Sequence, residues 1–228
     1  MGNMKPNQKN ICDEKLKQHI QGNLDHFQTR THLKEGVQQA AVALAIVDVA
    51  HGSDDYGLPS YTTRQPDAAL ILTRRSKNLR NHSGQWALPG GHRDRGETAT
   101  DTALRELSEE VGLDLAPDRV IGTLDDFTTR SGFVITPVVI WGGDRIDLVP
   151  NPAEVASIHR IPLAEFLRSD APLIHESPDS DAPLILMPVG NTCIAAPTAA
   201  MLYQFREVAL LGKSTRVAHY EQPAFAWK

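Results

Sequence analysis

The sequence predicts an α/β fold, a mixed β-sheet sandwiched between helices (α/β/α), on three observations. Two apolar runs, 40–50 (broken only by Asp48) and 67–73, have the length and composition of buried strands. Further strand-like segments at 120–127, 133–141, 154–161 and 184–189 alternate with segments in which apolar residues return at helical spacing. The 228 residues, 41% hydrophobic, suffice to bury one full core, so the chain reads as a domain at 40–228 preceded by a polar tail and a helical extension at 1–39.

Taken in order, residues 1–10 are polar. From Ile11 onward, Leu16, Ile20, Leu24 and Phe27 recur at helical spacing and predict an amphipathic helix that packs on the domain or on a second subunit, which leaves a homodimer open. His19, His26 and His32 lie in or near it without a ligand pattern and read as surface or packing residues. Gly, Pro, Ser and Asp make 51–66 a loop. A short strand near Trp86 leads to the turn Pro89-Gly90-Gly91. Thr98, with Asp101 three residues on, caps a helix over 99–111, and Gly112 suits the left-handed residue that ends it. A turn at 128–132 joins the next two strands, and Pro162 starts a short helix at 162–167. Residues 169–183 read as a loop, 184–189 as the last strand and 198–211 as the closing helix, with Gly212 after it.

The chemistry concentrates on the helix at 99–111. Ala103, Leu104, Leu107 and Val111 form the side that docks on a sheet. Glu106 and Glu110, one turn apart, line up beside that stripe, and Glu109 stands next to Glu106 on the more open side. A solvated acidic face is the plain alternative. Acids at a helix C-terminus, however, oppose the macrodipole by about 0.3–1 kcal/mol each, so something cationic should offset them. Hard divalent ions such as Mg²⁺ take a few carboxylate oxygens together with phosphate oxygens and water, and the glycine pair lets backbone come close to such an ion. Arg105 is placed to hold Glu109 four residues on or to pair with Glu97 across the loop. Arg74, Arg75, Lys77 and Arg80 put four positive charges within seven residues just upstream, either a solvated basic turn or a phosphate-capturing one.

Composition excludes several classes. A net charge of -5 supplies no basic field for nucleic acid. Cys12 and Cys193 form neither a disulfide framework nor a metal pair, which suits a reducing compartment. No apolar run approaches the roughly 20 residues of a membrane span, and the polar N-terminus lacks the apolar core of a signal peptide, so the expectation is a soluble cytoplasmic protein.

Read from Gly91, the chain runs Gly, five residues, Glu97, seven residues, then Arg105-Glu106-Leu107-Ser108-Glu109-Glu110-Val111-Gly112-Leu113. This resembles the Nudix box, G-x5-E-x7-R-E-U-x-E-E-x-G-U with U aliphatic, at every position. Upstream, Ile71-Leu72-Thr73-Arg74-Arg75-Ser76, Arg80, Gly84 and Leu88-Pro89-Gly90-Gly91 resemble the accessory motif of the coenzyme A pyrophosphatase branch, L-L-T-x-R-S-x3-R-x3-G-x3-F-P-G-G, with Ile71 for Leu and Leu88 for Phe. The segments DDFTTRSGFVITPVV and NPAEVASIHRIPLAEFL continue the likeness, which covers about residues 40 to 168. Near the C-terminus the chain departs: Ala195-Ala196-Pro197-Thr198-Ala199 stands where such proteins often carry Trp-Gly before a Thr-Ala pair.

The resemblance implies a Nudix fold and hydrolysis of the diphosphate of coenzyme A or acyl-coenzyme A to 3',5'-ADP and the 4'-phosphopantetheine compound, with Mg²⁺ or Mn²⁺. It implies catalytic roles for Glu109 (general base), Arg105, Glu106 and Glu110, and a metal site of Gly91, Glu106, Glu109 and Glu110. Arg74, Arg75, Ser76 and Arg80 would contact substrate. Glu97 and Glu154 are weaker candidates, followed by His82, His92, Thr128, Thr129 and Ser131. Two other functions remain open: a Nudix hydrolase of ADP-ribose, a dinucleotide or another nucleoside diphosphate derivative, and a catalytically silent nucleotide-binding module.

Overall fold

The computed structural model of the chain describes residues 10–32, 36–50, 55–61, 63–77, 83–177 and 180–222. Its centre is a mixed eight-stranded sheet built on β1 (Gln39–Ala50). β7 (Val134–Gly143) pairs with β1 in parallel along its whole length. β1's other edge is shared, with Ala40 to Val42 pairing with β4 (Gly90–His92) and Ile46 to Ala50 with β2 (Gln65–Arg75), both antiparallel. β3 (Trp86–Ala87) and β8 (Val155–Pro162) pair with β2, while β5 (Val120–Thr123) and β6 (Phe127–Thr128) pair with β7.

The two faces of β1 follow its period of two. Ala41, Ala43, Ala45 and Val47 face α2 (Ala99–Val111), joined there by Ile71, Val138 and Ile140. Val42, Leu44 and Ile46 face the opposite layer, which holds α1 (Glu14–Asp25), α3 (Leu163–Phe166) and α4 (Thr198–Phe205). The sheet is therefore covered by helices on both sides, as the continuous apolar runs require. The small residues of β1 let α2 approach closely, and the bulky ones fill the thicker layer. A second sheet, β9 (Leu173–His175), β10 (Leu184–Val189) and β11 (Thr192–Ala195), is antiparallel and packs on α3 and α4.

α1 begins at Glu14 rather than Ile11, because the Asp13 carboxylate accepts the Leu16 N–H (2.9 Å) and sets the N-cap. Its His19 and Asn23 donate to the Leu210 and Ala209 carbonyls, and His26 to the Gly22 carbonyl. Each of these histidines thus serves packing or backbone.

Four expectations are corrected. The strand expected over 120–127 is broken into β5 and β6 because Asp125 and Asp126 turn inward: Asp125 accepts from Arg30 N–H, Gln204 and Arg216, and Asp126 from His32 N–H and Thr136. The loop expected over 169–183 contains β9. The strand at 184–189 is followed by β11. The closing helix is α-helical only to Phe205 and continues as a π-turn over Arg206–Leu210, where Glu207 is buried and bonded to Lys213 (2.9 Å).

Candidate active site

α2 starts with a complete capping box between Thr98 and Asp101 and ends at Gly112, whose φ of 70° is the left-handed conformation expected of it. Between these stops it presents two adjacent stripes. Ala103, Leu107 and Val111 are fully buried against the sheet, a contact in which each large apolar side chain contributes about 1.5–3 kcal/mol. Thr102, Glu106 and Glu110 are also buried, along the side that meets β4. The apolar stripe fixes the helix on the sheet, and the same rotation carries two carboxylates into the interior.

The glycine pair explains how they fit. A Cβ on Gly91 would overlap Glu106 Oε1 and lie 2.7 Å from its Cδ, and one on Gly90 would lie 2.7 Å from Val42 Cα. Gly90 therefore closes on β1, and Gly91 leaves room for the Glu106 carboxylate. This pair belongs to a strand, whereas the sequence reads it as a turn.

Arg105 organises the acidic groups. Its Nε and Nη2 donate to the two Glu97 oxygens (2.8 and 3.2 Å), its Nη1 to Glu106 (2.9 Å) and Glu109 (3.0 Å), and Nη2 also to the His92 carbonyl (3.0 Å). It both holds Glu109 and pairs with Glu97. Glu97 also accepts from Thr102 (2.7 Å) and the Asp94 N–H (3.1 Å). The Arg105 bond first, then Thr102 and the Asp94 N–H, hold its carboxyl down to about 2.

The interior carboxyls go the other way. Burial, then the Glu106 charge, push Glu110 up to about 8, opposed by the Arg75 charge and a bond from the Gly90 backbone. Glu106 is raised by burial, and the Arg105 bond only partly offsets this.

Both groups open on a cleft of about 530 Å³. Its lining brings the charged groups Arg75, Arg105, Glu106, Glu110 and Glu154 together with Gly91. Neutral groups, among them Thr129, Ser131, Phe133, Thr198 and Gln222, complete the lining.

The predicted site residues distribute as follows. Arg75 reaches the cleft, and its Nε is buried with no hydrogen-bond partner among the described residues. Arg74 instead lies over the rings of Tyr56 (5.2 Å) and Trp86 (5.0 Å), outside the cleft wall. Ser76 is buried, and its N–H donates to the Glu154 carbonyl (2.7 Å), which ties the basic segment to the turn that carries Glu154 just before β8. Glu109 is exposed and does not line the cleft, whereas Glu154 does. Thr129, Ser131 and His92 line it, the His92 ring standing 4.9 Å from that of Phe133, and Thr128 does not. Arg80 and His82 lie outside the described residues; Lys77 is exposed. Pro197 and Thr198, within the segment at 195–199 that departs from the resemblance, line the cleft as well, whereas sequence reasoning missed the walls supplied by Trp86, Phe133, Ile135 and Gln222; no local pattern marks them.

A hard divalent ion fits this donor set. Burial and mutual repulsion disfavour the charged forms of Glu106 and Glu110, which a cation would stabilise, and Gly91 keeps the backbone beside them uncovered. Among the described residues no three His, Cys, Asp or Glu side chains are gathered into a ready-made cage, and Glu109 is paired with Arg105. Two carboxylates with backbone and substrate oxygens suit an ion that retains water and binds together with phosphate.

The NUDIX domain profile matches residues 61–180, and the chain belongs to that family. Over 105 residues it is 44% identical to the uncharacterized Nudix hydrolase NudL of Yersinia enterocolitica, a match covering 46% of this chain and 54% of that protein. It is 43% identical over 101 residues to the corresponding protein of Pectobacterium atrosepticum, covering 44% and 53%. The matched part thus spans about half the length of these curated relatives. Among solved structures, a MutT/nudix family protein from Enterococcus faecalis superposes with a TM-score of 0.50 at 15% identity, over 78% of this chain and 64% of that one, a likeness of fold. Among the described residues no helix is long and apolar enough to cross a membrane.

Proposed function

We propose that this protein is a cytoplasmic, metal-dependent hydrolase that cleaves the diphosphate of coenzyme A or an acyl-coenzyme A to 3',5'-ADP and 4'-phosphopantetheine or its acyl derivative. The observation that carries the reading is the burial of Glu106 and Glu110 beside Gly91 in a cleft that also takes in Arg75. The upstream motif through Ser76 supports the coenzyme A branch in particular.

Glu106, Glu110 and the Gly91 backbone would hold Mg²⁺ or Mn²⁺. Such an ion, when bound, neutralises diphosphate charge and makes water a better nucleophile. Arg75 binds the phosphate oxygens as they enter. Arg105 fixes the direction of Glu97, Glu106 and Glu109 together, so that positioning, which dominates this kind of transfer, is built in beforehand. Glu109 takes the proton as the water oxygen bonds to phosphorus, and the bridging P–O bond breaks to release the second phosphate. Glu154 is the second reading for that role, on the observation that it lines the cleft and Glu109 does not.

A second substrate reading, another nucleoside diphosphate derivative such as ADP-ribose or a dinucleotide, is favoured by the altered segment at 195–199, because its Pro197 and Thr198 form part of the cleft wall. Mass analysis of products from coenzyme A with Mg²⁺ or Mn²⁺, beside ADP-ribose, tests both. Preferential formation of 3',5'-ADP and 4'-phosphopantetheine upholds the first reading, and cleavage of ADP-ribose alone overturns it.

A further inference from the structure

A segment near the C-terminus contributes Gln222 to the cleft wall. Gln222 is buried, 7% exposed, yet lines the cleft, and its Oε1 accepts the Arg130 N–H (3.0 Å). Its neighbour Glu221 is fastened on two sides. One Glu221 oxygen pairs with Arg130 Nη1 (2.8 Å) and the other accepts the Ser180 hydroxyl, while its N–H donates to the Pro183 carbonyl (2.9 Å). The turn at 129–133, to which both residues are bonded through Arg130, is equally fixed: Thr129 Oγ1 lies 3.0 Å from Ser131 Oγ and accepts the Phe133 N–H (3.0 Å). The anchored strap and the fixed turn thus bring neutral donors and acceptors and the Phe133 ring into the cleft wall.

We propose that Gln222 is a specificity-determining residue that reads the uncharged, amide-bearing arm of the substrate, with Thr129 and Ser131 beside it. This rests on the coenzyme A reading above. A pantetheine arm carries amides and a hydroxyl on an aliphatic chain and no charge, so a wall of hydroxyls, one carboxamide and an aromatic ring complements it. A phosphate would instead need cations such as Arg75 and Arg105. Because Oε1 is engaged by the Arg130 N–H, the carboxamide's orientation is set and its NH₂ is the group directed to a ligand carbonyl. A site that hydrogen-bonds a substrate group discriminates strongly against analogues lacking it, since its own polar group would stay unpaired.

The test compares wild type, Gln222→Ala and Gln222→Glu. The glutamate keeps an oxygen for the Arg130 N–H but replaces the donor by an acceptor, and a merely structural disturbance would weaken activity on both substrates alike. Both variants should lose about tenfold in kcat/KM for coenzyme A, mainly through KM, as expected for one hydrogen bond worth about 1.4 kcal/mol. ADP-ribose, which has no amide in that arm, should change less than about twofold. Equal losses on both substrates, or a Gln222→Glu enzyme with wild-type KM for coenzyme A, would overturn the proposal. Titration of the three proteins with pantetheine itself separates the two levels of inference. Weaker binding by both variants upholds the role of Gln222 even if the wild type fails to cleave coenzyme A, a failure that would sink the substrate reading instead. Undiminished binding by the variants overturns the role.

Discussion

Replacing Gly91 by Ala probes the closest packing in the proposed site. The added Cβ would lie 2.7 Å from Glu106 Cδ, and ordinary carbon contact begins at about 3.5 Å, so the carboxylate must withdraw by nearly 1 Å. Gly91 does not have a positive φ, so the backbone itself is not strained by alanine. The atoms in the way are the end of a flexible side chain, and pushing them off their rotamer costs about 0.5–1.5 kcal/mol. The protein should therefore fold, with a modestly lowered unfolding midpoint. Catalysis is far less tolerant, because a misplacement of about 1 Å costs about 100-fold in rate, or about 2.7 kcal/mol in barrier. Steady-state hydrolysis of coenzyme A across a Mg²⁺ titration should show kcat down by that factor and a higher metal requirement. Adding Glu106→Asp, one methylene shorter, should recover part of the loss, so that the double variant is more active than the cycle of single changes predicts. A Gly91→Ala enzyme with kcat within threefold of wild type at all metal concentrations would refute the placement of Glu106 beside Gly91.

Glu109→Gln should slow turnover by 100-fold or more, in the range of general-base loss, with KM little changed, while Glu106→Gln should mainly raise the metal concentration needed; a large kcat loss in Glu154→Gln with a mild Glu109→Gln would reassign the base to Glu154. Asp48, 1% exposed, is bonded to Arg64 and Arg160 at the far end of β1, and although burial alone would raise its carboxyl, these two arginines and the Arg145 N–H hold it below the usual carboxylate value. Asp48→Asn should destabilise the fold by about 3 kcal/mol, the lower end for a broken buried pair because Arg64 is partly exposed. With a depressed folded pKa, the stability Asp48 contributes is fully present above its unfolded value of about 3.9 and is lost as pH falls through the folded value, so melting curves of wild type and variant should converge below about pH 4. Thr98→Ala should remove the α2 cap and cost about 1 kcal/mol, read as a midpoint about 2–4 °C lower.

The legible parts of this protein are those whose causes lie within one turn or one strand of sequence. The limits of α2 follow from Thr98, Asp101 and Gly112, each acting on backbone three or four residues away, and the structure places the helix at those limits. The buried strands β1 and β2 follow from unbroken apolar runs. Where a segment's state depends on distant partners, local reading failed. The break between β5 and β6 is made by Arg30, Gln204 and Arg216 reaching Asp125, and β9 exists because β10 pairs with it.

The same division runs through the candidate site. By itself the sequence determined which carboxylates share a helix and that a glycine pair precedes them, because a period of 3.6 residues is a local property. Only the tertiary structure decided that Arg105 gathers Glu97, Glu106 and Glu109 at once, and that Glu109 stands outside the cleft while Glu154 lines it. It also decided that Gln222 and Phe133 join the cleft wall. Burial does the rest: the upward shift of Glu110 comes first from desolvation, which exists only once the sheet and its covering layers have closed around the helix.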